Sequence, residues 1–226
     1  MDTDEKQPMS DTTRRRLLIG LAGTPILASL PSRSAWGQEC SISGMLSGNL
    51  SNHVHDCPAL GDGRTSQYMA THPVCWPVGN SLTLDFGTMY NGNGGAKEIE
   101  PCEVSDLNGK LDNPNKYSFA GGTTLDSLIS QILVNFGSTL VWAGGFGMQI
   151  MDYLHDGPGY PQQAGAAFLN ALHPNISYPY SALEVAEAMA TVAGDMSREM
   201  RLEDILAHFN ASSVESTALV QSCSLS

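Results

Sequence analysis

The sequence has few basic residues: 11 Lys and Arg stand against 23 Asp and Glu, and the formal net charge at pH 7 is −12. Nucleic acids and anionic membrane surfaces attract proteins through positive charge, which this chain largely lacks. Its acidic residues are scattered rather than spaced as in a DxDxDG calcium loop, so they predict no calcium site. We therefore expect no nucleic-acid partner and interpret the acidity as a source of solubility.

The sequence also lacks the short motifs of several common enzyme classes. G-x-S-x-G, H-E-x-x-H and C-x-x-C are absent, as is a glycine run followed by Lys-Ser or Lys-Thr. A catalytic site normally needs a nucleophile or a titratable pair beside an orienting group, and no such set is recognisable. We therefore predict no catalytic residue and no cofactor-binding residue, and we favour a non-catalytic protein over an enzyme.

The apolar run near the N-terminus is too short for a good membrane anchor. It extends from Leu17 to Leu30, and 14 residues of helix reach about 21 Å, against about 30 Å for the hydrocarbon core of a bilayer. An arginine cluster precedes the run, and a segment of mostly small residues, 34–37, follows it. This order is typical of an export signal, and the arginine pattern resembles that of twin-arginine signals. We predict a signal peptide at 1–37, with Arg14 and Arg15 in the export motif.

Cleavage is predicted between Gly37 and Gln38, which leaves a mature chain of residues 38–226. The mature chain would work outside the cytoplasm of a prokaryote, in the periplasm, at the cell surface or secreted. Its partner during export would be the twin-arginine translocase, and no transmembrane anchor would remain after cleavage. Its length fits a single domain. The partner of the mature protein stays open at this point.

All five cysteines lie in the predicted mature chain, where an oxidising environment favours disulfides. We predict two disulfides and one remaining thiol, with the pairing open, among Cys40, Cys57, Cys75, Cys102 and Cys223. Four of the five fall between residues 40 and 102, a stretch with weak apolar patterning. Each disulfide there would stabilise the fold by about 2–4 kcal/mol.

The apolar patterning predicts a mainly α fold with two unlike halves. Residues 38–120 are rich in Gly, Asn, Ser and Pro, and we expect a disulfide-stapled, loop-rich half with at most short strands. Within it, Leu82, Leu84 and Phe86 alternate as in a strand over 81–86. Residues 121–226 are expected to form a small helical bundle.

Four helices are predicted in the second half from apolar spacing and cap residues. They begin at Thr123 with Asp126, at Gln162, at Ser181 with Glu184, and at Asp195 or Ser197; they end at Gly137, Leu172, Gly194 and Phe209. Ser181 and Glu184 have the spacing of a capping box. Residues 138–160 are interpreted as a connector around a short apolar segment.

Three places in the chain resemble a group of secreted bacterial proteins of unassigned function. In that group a segment like GRTPGYWKNHPEAWP is followed by one like ALLNAAHPDVNYPLSVAEV, and the chain ends near a cysteine followed by Pro-Leu. Here residues 63–77 read GRTSQYMATHPVCWP, residues 166–185 read AAFLNALHPNISYPYSALEV, and residues 222–225 read SCSL. The first segment departs from the pattern where PGYWKN is replaced by SQYMAT. The resemblance implies a similar architecture and no particular reaction.

A cluster of polar residues, NHVHDC at 52–57, admits two interpretations. In a strand, His53, His55 and Cys57 would share one face and offer imidazole and thiolate ligands to zinc or copper. The alternative is an exposed loop whose cysteine forms a disulfide, because the sequence shows no second set of residues that would orient the ligands.

Two histidines and three aromatic residues adjoin prolines. His72 and His173 each precede a proline, which favours an extended backbone in which the imidazole bonds nearby backbone groups, so we predict structural roles for both. Trp76, Tyr178 and Tyr180 are expected to pack over the helical bundle. The alternative for these three is an exposed platform for carbohydrate.

Two functional hypotheses follow. The leading one is an extracytoplasmic protein without catalytic activity, with a structural or interaction-mediating role. The rival is an exported enzyme or metal-binding protein with its site near His53 and His55. Twin-arginine export favours the rival, because that route often serves proteins that acquire a cofactor before they cross the membrane.

Overall fold

The computed structural model describes residues 42–46, 61–77, 82, 84–92, 98–105, 110–157 and 159–212 of the 226-residue chain. All of them belong to one unit, Trp36–Ser226. The described helices are α1 (Ile42–Leu46), α2 (Ser66–Thr71), α3 (Pro101–Val104), α4 (Leu125–Asn135), α5 (Ile150–Asp156), α6 (Gly159–Leu172), α7 (Ala182–Val192) and α8 (Met196–Asn210). The described strands are β1 (Thr88–Asn91) and β2 (Tyr117–Ala120), and short 3-10 helices cover Pro73–Cys75 and Pro114–Lys116. The prediction of a mainly helical protein is confirmed.

Helix α6 lies at the centre of the helical half, because it packs against α2, α5, α7 and α8. Its side chains Phe168 and Leu169 are 0 % exposed. Full burial of one such side chain stabilises a fold by about 1.5–3 kcal/mol. A small residue lets α5 approach closely, since a Cβ on Gly165 would lie 3.3 Å from Ile150 Cγ2. The bundle is therefore built around α6.

The caps predicted for the last two helices are present. The hydroxyl of Ser181 accepts a hydrogen bond from Glu184 N, and the Glu184 carboxylate accepts one from Ser181 N, which completes the capping box of α7. Asp195 caps α8 by accepting a hydrogen bond from Arg198 N. Both caps satisfy backbone donors that a helix leaves unpaired at its start.

The start of α4 differs by one residue from the prediction. Thr124, rather than Thr123, is the N-cap residue and accepts a hydrogen bond from Ser127 N. Gly137 follows the end of the helix with a φ of +72°, a backbone conformation that glycine adopts without steric cost. The predicted helix is thus confirmed, with its cap shifted.

The region between α4 and α6 is more helical than predicted. The expected connector, 138–160, contains α5, whose side chains Ile150, Met151 and Leu154 are buried. Helix α6 begins at Gly159 rather than at Gln162. The seven residues of α5 are too few for an apolar period to stand out in the sequence, which explains why α5 was missed.

The two strands form a small antiparallel sheet. Thr88 of β1 lies opposite Ala120 of β2, and Asn91 lies opposite Tyr117. In this sheet Met89 and Phe119 face each other and point into the core. The described part of residues 38–120 therefore contains two short strands, and neither lies at the predicted position, 81–86.

The strand predicted over 81–86 is wrong, since residues 82 and 84–86, the part that the structure describes, form none. Asp85 pairs with Thr123 instead: its N–H donates to Thr123 Oγ1 at 3.0 Å, and its carbonyl accepts from Thr123 N at 2.8 Å. The alternation nevertheless reflects burial, because Leu82 and Leu84 are 3 % and 5 % exposed. The alternating apolar residues therefore correctly predicted burial of Leu82 and Leu84, but they did not correctly predict a strand.

Cys75 is the one cysteine whose side chain lies in the described part of the chain, and it is fully buried. No disulfide is seen among the described side chains, and the predicted disulfides stay a prediction. Several predicted residues lie outside the described set: Arg14, Arg15, Gly37, Gln38, Cys40, Cys57, Cys223 and the side chain of Cys102. No helix in the described ranges has the length and apolar character needed to cross a membrane.

Candidate functional site

The predicted metal ligands His53, His55 and Cys57 lie outside the residues that the structure describes. Within the described ranges, no group of three or more His, Cys, Asp or Glu side chains is arranged to hold a metal ion. The geometry of the site is therefore built from the two segments that carry the resemblance, 63–77 and 166–185. Every residue of both segments is described, and both segments contribute to one buried junction.

The backbone at the start of the first segment docks onto the helical half. Asp62 N donates to Ser177 O at 3.1 Å, and Gly63 N donates to Ser212 Oγ at 3.1 Å. Position 63 requires glycine, because a Cβ there would lie 2.1 Å from the carbonyl oxygen of Phe209. The chain therefore approaches the end of α8 at a distance that no side chain permits.

The side chain of Asn170, from α6, continues this docking. Its Oδ1 accepts a hydrogen bond from Arg64 N at 2.7 Å, and its Nδ2 donates to Arg64 O at 2.8 Å. Both backbone groups of one residue are thus paired with a single amide, as they would be with a neighbouring strand. The Nδ2 group also donates to Asn210 Oδ1 at 3.1 Å.

Asn210, the last residue of α8, completes the network. Its Oδ1 accepts from Tyr178 OH at 3.0 Å, and its Nδ2 donates to the backbone O of Gln163 at 2.9 Å and to Gln163 Oε1 at 3.1 Å. Every amide group of both asparagines has a partner. We call Arg64, Gln163, Asn170, Tyr178 and Asn210 the asparagine network. It joins the first segment to α6 and α8.

Burial makes this network important to stability. Asn170, Tyr178 and Asn210 are 0 %, 1 % and 1 % exposed, respectively. A buried polar group without a partner costs about 1–3 kcal/mol, so complete pairing is what makes these polar side chains tolerable in the core. Burial also raises the pKa of Tyr178 well above its ordinary value, which keeps its hydroxyl protonated as a donor.

His173 connects the second segment to the first at another point. Its Nδ1 accepts a hydrogen bond from Asn175 N at 3.1 Å, and its ring also bonds the backbone of Cys75. With Nδ1 accepting from Asn175 N, the proton of the neutral imidazole lies on Nε2. Burial lowers the pKa of His173, the Cys75 hydrogen bond opposes this, and the charge of Arg64 lowers it further. The imidazole is therefore held neutral.

His72 has a similar structural role in the first segment. Its ring stacks on Tyr68 with centroids 4.0 Å apart and planes 9° from parallel. Its Nδ1 lies 2.9 Å from Tyr68 O and 2.9 Å from Thr71 Oγ1. The Cζ atom of Arg64 lies 5.2 Å from the centroid of the Tyr68 ring, within range of a cation–π interaction. Both His-Pro histidines thus bond nearby backbone, as predicted.

The proline-flanking aromatic residues are buried. Trp76 and Tyr178 are each 1 % exposed and Tyr180 is 5 % exposed. Trp76 Nε1 donates to Met69 O at 3.0 Å, and the ring of Tyr180 packs edge-on against Phe209 with centroids 4.9 Å apart. The predicted packing role is confirmed, and the alternative of an exposed carbohydrate platform at these three residues is wrong.

A glycine-rich loop, residues 137–149, is held in place by Asp126. Its Oδ1 accepts hydrogen bonds from Trp142 Nε1 at 2.7 Å and from Phe146 N at 2.8 Å. Phe146 packs against Trp142 with ring centroids 5.5 Å apart and edge-on against Tyr160 at 5.6 Å. One carboxylate oxygen therefore fixes two points of the loop. The sequence indicated only a cap role for Asp126, because its partners are 16 and 20 residues away.

The end of α4 and this loop present exposed apolar side chains. Val134 is 77 % exposed and Val141 is 82 % exposed. We call the five large exposed apolar residues of this stretch the apolar loop surface: Val134, Phe136, Leu140, Val141 and Met148. No Asp, Glu, Lys, Arg or His occurs anywhere from 127 to 151, although the chain as a whole carries a net charge of −12. The segment that carries this surface thus has no charged residue of its own, within an acidic protein.

Comparisons of this chain with protein-family profiles, with curated proteins and with solved structures gave no match. The function is therefore inferred from the residues themselves. Those of the two similar segments hold the fold together, and those of 134–148 present an apolar surface to solvent.

Proposed function

We propose that the chain is an exported, extracytoplasmic protein without catalytic activity, with a structural or interaction-mediating role. The observation that carries the proposal is that the polar residues of the junction are buried and bonded to other groups of the protein. Asn170, Asn210, His72 and His173 are all 7 % exposed or less, and each is hydrogen-bonded within the protein. A catalytic residue has to reach a substrate, and these residues are enclosed in the fold instead.

The apolar loop surface favours an interaction-mediating role over a purely structural one. Its five large apolar side chains are exposed within 15 consecutive residues, and exposed apolar surface of this kind is a candidate for contact with a partner. The hydrogen bonds from Trp142 and Phe146 to Asp126 fix the loop before a partner binds. The loop would therefore lose little conformational entropy on binding.

The export part of the proposal rests on the N-terminal pattern and on the resemblance to secreted bacterial proteins. It includes disulfides in the region 38–120, because the compartment outside the membrane is oxidising. The Arg14→Lys, Arg15→Lys double variant should leave the precursor in the cytoplasm, whereas the matched control Arg33→Lys should be exported. N-terminal sequencing of the exported control should begin at or near Gln38. Normal export of the double variant would contradict this part of the proposal.

The rival role is a metal-binding or enzymatic protein with its site near His53, His55 and Cys57. The sequence cluster at 52–57 and the export route favour it. Elemental analysis of protein purified from its native compartment separates the two roles. We expect no stoichiometric zinc, copper or iron. Stoichiometric metal that is lost in a His53→Ala, His55→Ala variant, and retained in a His208→Ala control, would establish the rival.

A further inference from the structure

A cleft opens where α1, α7 and α8 meet the apolar loop surface. Its volume is about 360 Å³, which lies within the range of small-molecule sites. The cleft is lined by Ile42, Ser43, Leu46, Leu140, Glu184, Glu187, Ala188, Thr191 and Arg198. Three elements and a loop thus contribute to it, and none of its residues belongs to the asparagine network.

The lining combines an apolar base with charged groups. Ile42, Leu46 and Ala188 are buried and supply the apolar part, to which Leu140 adds an exposed side chain. The charged groups are two carboxylates, Glu184 and Glu187, and one guanidinium, Arg198.

The two carboxylates accept hydrogen bonds from the protein, and the guanidinium makes one long hydrogen bond. Glu187 Oε1 accepts a hydrogen bond from Ser138 Oγ at 2.8 Å, and Glu184 Oε2 accepts one from Ser181 N at 2.8 Å. Arg198 Nη1 lies 3.5 Å from Thr191 O, to which it donates. Charged groups that are positioned before a ligand arrives lose less conformational freedom when it binds.

The geometry points to a binding site for a small ligand that has an apolar body and a primary ammonium group. The apolar body would cover Leu46, Leu140 and Ala188, and the ammonium group would meet the carboxylate of Glu187. The cleft has two negative charges and one positive charge, and the whole chain is acidic, so its field attracts cations and repels anions. An ammonium group also donates charge-assisted hydrogen bonds to a carboxylate, which are stronger than neutral ones.

Hexylammonium chloride tests this inference, with 1-hexanol and sodium hexanoate as matched probes of the same chain length. The full chain is titrated with each probe while backbone amide NMR shifts are recorded. We expect hexylammonium to bind about twofold to fivefold more tightly than hexanol, which corresponds to one partly exposed ion pair. Shifts should concentrate at 42–46 and 184–198, and hexanoate should bind more weakly than hexanol.

Three variants locate the interaction. Glu187→Gln keeps an acceptor for Ser138 and should reduce hexylammonium binding to the level of hexanol. Glu103→Gln removes one exposed negative charge outside the cleft and should leave binding nearly unchanged. Arg198→Met removes the repelling cation and should tighten hexylammonium binding; this result serves as the deciding one if Glu187→Gln does not fold.

Equal affinity for hexylammonium and hexanol would overturn the inference. So would an equal loss of binding in Glu187→Gln and Glu103→Gln, because that would show a general charge effect. Unchanged or weaker binding in Arg198→Met, or shifts away from the cleft, would also overturn it. The inference goes beyond the proposed function, which is tested separately by export and metal content.

Discussion

Replacing Asn170 by Ala removes the centre of the asparagine network. The change deletes the partner of Arg64 N and of Arg64 O in a region where Asn170 itself is 0 % exposed. Each buried group that loses its partner costs about 1–3 kcal/mol, so two such groups predict a loss of about 2–6 kcal/mol in the free energy of unfolding. The bond to Asn210 is also lost, but Asn210 Oδ1 keeps Tyr178 OH as a donor.

Urea unfolding, followed by circular dichroism, measures this loss, and two variants calibrate it. Tyr178→Phe removes one hydrogen bond from Asn210 Oδ1, which still accepts from Asn170 Nδ2, so the expected cost is about 0.5–1.5 kcal/mol. Asn175→Ala is the matched control: its side chain is exposed, and its hydrogen bond to His173 comes from the backbone. Its effect should stay within about 0.5 kcal/mol.

Asn170→Asp provides a further test with almost no change in volume. A carboxylate at position 170 still accepts a hydrogen bond from Arg64 N but has no N–H group to donate. Its second oxygen then faces two other acceptors, Arg64 O and Asn210 Oδ1, without a hydrogen between them. Because the folded protein would then favour the protonated acid, the penalty should be large at pH 7 and smaller near pH 5. If Asn170→Ala costs no more than Asn175→Ala, or if the Asn170→Asp penalty does not depend on pH, the network does not stabilise the fold as argued.

Three further predictions concern other parts of the molecule. Burial lowers the pKa of His173 in the fold, so the unfolded chain binds the proton more readily. The free energy of unfolding should therefore fall as the pH drops below about 6.5 and stop falling below the lowered pKa. Urea unfolding across this range should show a weaker dependence of that free energy on pH for His173→Gln than for the wild type. Asp126→Ala should speed hydrogen exchange of the Trp142 indole N–H by about tenfold or more, because the charge-assisted hydrogen bond is lost. NMR measures this exchange, and Asp152→Ala is the control that should leave it unchanged. Equal exchange rates in the two variants would contradict the role of Asp126. Reduction of the exported protein should lower its Tm, and thiol counting in denaturant without reductant should find one thiol; five thiols would disprove the predicted disulfides.

The helices that could be predicted are those with local signals. Ser181 and Glu184 specify the start of α7 within a single turn, and Asp195 does the same for α8. Such caps involve residues three positions apart, so the sequence alone contains the whole interaction. Helix α5 has no side-chain cap of this kind at Gln149 and only seven residues, and for this reason the sequence did not reveal it.

The asparagine network could not be predicted, because its bonds join distant parts of the chain. Arg64 and Asn170 are 106 positions apart, and Asn170 and Asn210 are 40 apart. A weak signal was nevertheless present. Asn170 follows Phe168 and Leu169 within the apolar stretch AAFLNAL, and Asn210 follows Phe209 on the buried face of α8. A polar residue at an apolar position of a helix requires a partner, but the sequence does not identify that partner.

The resemblance to secreted proteins can be interpreted physically once the junction is known. The two similar segments meet at Arg64 and Asn170, and the glycine at 63 is needed because the chain passes so close to Phe209. The expected resemblance therefore predicts that the secreted proteins use these two segments to dock one half of their fold on the other. Such a role for the segments would imply a similar architecture and no particular ligand, which is consistent with the non-catalytic role proposed above.

Within the described ranges, the apolar loop surface and the cleft differ in charge and should respond differently to salt. The apolar loop surface has no charged residue, so its contacts depend on burial of apolar area and are not weakened by screening. In the cleft, part of the proposed binding energy comes from the attraction between Glu187 and a cation. Salt screens this attraction over about 8 Å at physiological ionic strength. Binding of a cation at the cleft should therefore weaken as salt rises, whereas binding of an apolar partner at Val141 and its neighbours should hold or strengthen.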